Sequence, residues 1–61
     1  MYGEKLRKLR GDRKPEEVAN AVGISVSALI KYEREERIPR DRIKQRLAEY
    51  YGRTVNFIFF T

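Results

Sequence analysis

The chain has 61 residues, 41% of them hydrophobic and 38% charged, and its 14 Lys/Arg against 9 Asp/Glu leave a formal charge of +5. One domain over residues 1–61 is the most this length allows, and its core is marginal, since a chain of this size buries only about 60% of its unfolded surface. The absence of cysteine and histidine excludes a disulfide framework, a thiolate zinc site and any His-based site, and no apolar run approaches the ~18 residues of a membrane span.

Tyr2, Leu6 and Leu9 stand at i, i+4 and i+7, one face of a short amphipathic helix over 2–10 whose other face holds Lys5, Arg7 and Lys8. Gly11-Asp12 ends it. Pro15 suits the first position of a second helix, with Glu16 and Glu17 favourable to the dipole in its first turn and Gly23 at its end. Ser25 is the N-cap of a third helix, ahead of the weaker candidate Ser27, and that helix runs to Glu33 or Arg34. The charged stretch Arg34–Arg40 reads as a loop with Pro39 near the start of helix four. Helix four covers about 40–51, with Ile43, Leu47, Ala48 and Tyr51 on one stripe and Gly52 as C-cap. The tail 54–61 is open to two readings. Thr54 could cap a last helical turn, while the β-branched and aromatic residues suit a strand equally. In a helix, Val55, Ile58 and Phe59 would close the core and leave Phe57 and Phe60 outside.

Within EEVANAVGISVSALIKYE (16–33), small and apolar residues fall where two short helices would touch, with Gly23 where the backbone must reverse. That is the layout of a helix-turn-helix over 15–34, whose second helix can project side chains into the DNA major groove. The basic balance favours a polyanionic partner. The N-terminus lacks the apolar stretch of a signal peptide, so the cytoplasm is the expected location.

LRKLRGD (6–12), EEVANAVGIS (16–25), Tyr32-Glu33, RIP (37–39) and LAEYYGRTVNFIFF (47–60) together resemble the lambda-repressor-like, Cro/repressor-type helix-turn-helix family, also called the XRE family. The resemblance implies an all-α domain of four to five short helices, helices two and three forming the helix-turn-helix, with a short apolar C-terminal tail. It implies sequence-specific double-stranded DNA binding by a small transcriptional regulator, with helix three (about 25–34) in the major groove. Carried over residue by residue, Val26, Ser27 and Lys31 would read bases. Arg13 and Lys14 on one side, and Arg37, Arg40 and Lys44 on the other, would hold phosphates, with Ala28 close to the DNA backbone. Arg10 would pair with Glu33. The sequence departs from the family's habit at Pro15, where most members have glutamine, at Ile30, commonly serine, and at Glu35, commonly glycine.

The chemistry of these residue types agrees. Ser27 can exchange hydrogen bonds with a base edge, Val26 can pack on a thymine methyl, and Lys31 can reach guanine acceptors or a phosphate. Phe57 and Phe60, left outside on so small a protein, are expected to form a twofold dimer through the tail, by helix packing or by strand pairing. The alternative function is a protein-interaction module, such as an antitoxin-like protein whose aromatic tail faces a different partner. No catalysis, cofactor, metal, membrane or small-molecule ligand is expected.

Overall fold

The computed structural model describes residues 1–60; Thr61, the last residue of the tail and of the expected 1–61 domain, lies outside the described residues. The described residues form five helices and no strand: α1 (Tyr2–Arg10), α2 (Pro15–Val22), α3 (Val26–Glu33), α4 (Asp41–Tyr51) and α5 (Val55–Phe59). Arg40 is the N-cap of α4 rather than its first residue.

The tail resolves as a helix. Thr54 Oγ1 accepts the Phe57 N–H at 3.0 Å, and Ile58 on the opposite side is fully enclosed by the core. A strand needs a partner strand for its N–H and C=O groups, and an isolated pair would be marginal even then. A capped turn that inserts one isoleucine satisfies both demands locally.

Each helix contributes its apolar stripe to one core. Leu6, Val18, Leu29, Leu47 and Ile58 are its fully enclosed members, one from each helix, joined by Ala19, Val22, Tyr32, Ala48 and Tyr51. Burying a side chain of this kind stabilises by about 1.5–3 kcal/mol, which at this chain length leaves little redundancy.

Three helix ends follow one scheme. Ile24 N–H bonds Ala19 O (2.9 Å), Glu36 N–H bonds Lys31 O (2.9 Å) and Arg53 N–H bonds Ala48 O (2.9 Å), closing the last turns of α2, α3 and α4. Each closure needs a left-handed residue just past the helix. These residues are Gly23 (φ +86°), Glu35 (φ +60°) and Gly52 (φ +68°). Arg46 reinforces the first turn-back by donating to the Val22 carbonyl at 3.3 Å.

α1 crosses α3 closely at Gly3. A Cβ there would collide with the Glu33 carbonyl oxygen and stand 2.6 Å from Glu35 Cγ. The same crossing brings Arg10 to Glu33. Arg10 Nε donates to Glu33 Oε2 at 2.7 Å and Nη2 to Oε1 at 3.0 Å, a two-pronged pair in which the carboxylate is almost wholly buried. Arg10 Nη1 also donates to the Arg13 carbonyl at 3.1 Å, tying the α1–α2 link to the same pair. The Glu33 hydrogen bond holds the Arg10 pKa above its ordinary value.

Candidate nucleic-acid interface

α3 is held by its ends and by one side. Ser25 Oγ accepts the Ala28 N–H at 3.0 Å, fixing the first turn. Leu29, Tyr32 and Glu33 face the core. The remaining side carries Val26, Ser27 and Lys31 into solvent, Val26 with 37% of its surface exposed. Arg34, one turn beyond Lys31 and also exposed, continues this side and pairs with Glu36 at 3.1 Å.

Beside the N-terminal half of α3 lies an open cavity of about 320 Å³ lined by Ser25, Ala28, Arg37, Ile38 and Arg40, with Ile24, Tyr32 and Ile43 at its base. The start of the exposed helix and the cations of the loop before α4 therefore border one concave surface. Pro39 is buried and anchors that loop, while Arg37, Ile38 and Arg40 stand outside. The Tyr2 hydroxyl donates to the Arg37 carbonyl at 3.2 Å, fastening the loop to α1. Lys14, exposed, is the N-cap residue of α2.

Three of the residues expected at phosphates make local contacts within the fold. Lys44 is 13% exposed and folds over the Phe59 and Phe60 rings (5.5 and 4.9 Å to the centroids), with Asp41 3.9 Å from its Nζ; it belongs to the α4–α5 contact. Ala28 lines the cavity as a half-buried methyl whose amide is already taken by Ser25 Oγ, so it forms a wall and offers no donor. Arg13 remains exposed, but its guanidinium lies over Tyr50 and Tyr51 (5.3 and 5.7 Å to the centroids), at the end of α4. Ring stacking of this kind is worth about 0.5–1 kcal/mol at an exposed site, enough to bias where the charge points.

Arg34 and Ile38 also stand exposed on this side, and neither was among the residues expected at the interface. Arg34 follows Ser27 by seven residues and Lys31 by three, so helical spacing alone puts it on the same side. Ile38, 69% exposed, carries no such signal beyond its place between two basic positions. Of the acidic residues of the loop, Glu36 is paired with Arg34 and Glu35 turns onto α1, accepting the Gly3 N–H at 3.1 Å.

At the far side of α5, Phe57 is 46% and Phe60 64% exposed. Lys5 and Arg53 lie over the Phe57 ring at 5.3 and 5.9 Å, and Lys5 Nζ donates to the Phe57 carbonyl at 2.9 Å.

Two adjoining short helices, the second capped by serine and turned outward beside a basic loop, define the helix-turn-helix class of domain. The sequence pattern of the helix-turn-helix family matches residues 4–58, and the chain belongs to that family. It is similar to the cryptic phage CTXphi transcriptional repressor RstR of Vibrio cholerae, 35% identical over 54 residues that cover 85% of this chain and 49% of that protein. The chain thus spans about half the length of the curated relative it matches. No solved structure matches it. Among the described residues no helix is long and apolar enough to cross a membrane.

Proposed function

We propose that the chain binds double-stranded DNA sequence-specifically as a small transcriptional regulator in the cytoplasm, with α3 in the major groove. The observation that carries this reading is the outward side of α3 beside a basic loop: Val26, Ser27 and Lys31 are exposed to solvent, and Ser25 and Ala28 at the start of the same helix share one concave surface with the exposed Arg37 and Arg40. In this reading Ser27, Lys31 and Val26 face base edges, each good pairing giving about 1–3 kcal/mol of discrimination. Lys14, Arg37 and Arg40 hold phosphates and fix the register. Family membership and the likeness to a transcriptional repressor support it over the reading as a partner-binding module alone. Two copies joined through Phe57 of α5 and Phe60 just after it would present two α3 helices about 34 Å apart, one turn of the duplex.

The test is a gel shift at controlled salt with a duplex recovered by the chain from a random-sequence pool, beside a scrambled one. Preference for the recovered duplex is expected; equal affinity for both overturns sequence specificity. Lys31→Ala is expected to relax discrimination at one base position, and Arg37→Ala or Arg40→Ala to weaken both duplexes alike with a flatter salt dependence.

A further inference from the structure

Of the three left-handed residues that close α2, α3 and α4, Glu35 alone is not glycine. An L side chain is strained in that conformation, and the surroundings show what holds it there. Its carboxylate accepts the Gly3 N–H, 3.1 Å away and 32 positions earlier in the chain. That amide lies in the first turn of α1, where N–H groups have no partner within the helix and Met1 supplies no side-chain cap. The approach is open because residue 3 is glycine: a Cβ there would stand 2.6 Å from Glu35 Cγ. Two residues on, the Tyr2 hydroxyl holds the Arg37 carbonyl at 3.2 Å. The N-terminus of α1 therefore fastens the loop at 35 and again at 37, where the exposed basic arm begins.

We infer that Glu35 is a positioning residue for that arm: its carboxylate, docked on the first turn of α1, sets the direction in which Arg37 and Arg40 leave the fold. The inference rests on the DNA-binding reading. Two local effects oppose this role. A carboxylate beside a phosphate-gripping loop repels the ligand, so deleting it should tighten binding. Glycine also suits the left-handed backbone better. Only the tether favours glutamate.

Glu35→Gly and Glu35→Asn separate these effects. Both residues tolerate positive φ, and neither side chain spans the distance to Gly3. Each is expected to melt at or near the wild-type temperature, with faster amide exchange over residues 36–40 and unchanged exchange in α2. Affinity for the duplex recovered by the wild-type chain is expected to fall roughly tenfold, the scale of one charge-assisted contact. The slope of log K against log salt should become shallower by about one phosphate. Glu35→Gln, which keeps an acceptor oxygen at the same reach, should retain the wild-type slope. A fold-only role would move the melting temperature and leave the slope alone. Glycine and asparagine variants that bind as tightly as wild type, with the same slope, overturn the inference alone. A wild-type chain that binds no duplex even at low salt overturns the proposed function, and this inference falls with it.

Discussion

Glu33 is the acidic side chain drawn into the core, and Arg10 meets it with two hydrogen bonds. Such a pair adds little net stability, but removing one partner strands a buried charge at a cost of about 3–5 kcal/mol. Arg10→Ala is therefore expected to lower the urea midpoint drastically; a loss under 1 kcal/mol would mean the carboxylate finds water instead. Tyr51 sits against the same pair, and its Oη is buried with no hydrogen-bond partner among the described residues. Burial first, and the Glu33 carboxylate second, push its pKa from 10.0 up to about 12. Below pH 10 the phenol is neutral whether the chain is folded or not. Between 10 and 12 the unfolded chain loses the proton while the folded one keeps it, so stability falls across that window by about 2–3 kcal/mol. Tyr51→Phe is expected to be neutral or up to about 1 kcal/mol stabilising at pH 7 and to fall less than wild type between pH 10 and 12. Parallel alkaline curves for the two proteins would refute this.

At the scale of the helix, glycine acts in two separable ways. Gly52 has open space around its missing Cβ, so alanine there meets only the left-handed penalty of about 1–2 kcal/mol. At Gly3 the backbone angle is unexceptional, and the obstacle is the Glu33 carbonyl oxygen. Alanine there must push α1 off α3 and disturb the Arg10–Glu33 pair, an overpacking cost of about 1–3 kcal/mol or more. Gly3→Ala is thus expected to lower the melting temperature more than Gly52→Ala, and the reverse order would show that the crossing yields easily. These elements were legible because their signals are local: the Tyr2/Leu6/Leu9 spacing, the Ser25 cap, and Gly23 and Gly52 at helix ends. The tail was not, because Val55, Phe57 and Phe59 suit a strand as well, and the decision came from a core with room for Ile58. The outward side of α3 could be read from periodicity. Lys44 and Arg13 could not be placed, since the rings that hold them come from elements later in the chain. Glu35 was visible as a departure from glycine, while its partner Gly3 lies too far away in sequence for any spacing rule.

The five helices share a small core, and two of the three phenylalanines, Phe57 on α5 and Phe60 just after it, keep much of their surface exposed. Covering Phe57 and Phe60 with a second copy would add apolar burial at about 25 cal/mol per Å², against a large entropic cost of association. Three cations surround these rings, Lys5 and Arg53 at Phe57 and Lys44 at Phe60. A twofold contact brings them toward their own copies, and like charges repel more strongly at low salt. The proposed dimer should therefore tighten as salt rises, while DNA binding, which depends on released counterions, should weaken. Sedimentation of the free chain at low and high salt is expected to show a monomer–dimer equilibrium that shifts toward dimer with salt. Phe60→Ser should abolish that shift while leaving the helical circular-dichroism signal intact, since the ring lies outside the core. A chain that stays monomeric at every concentration and salt level would remove α5 as the dimer contact. Paired sites on one duplex would then be met by monomers bound side by side, and DNA affinity would be independent of Phe60.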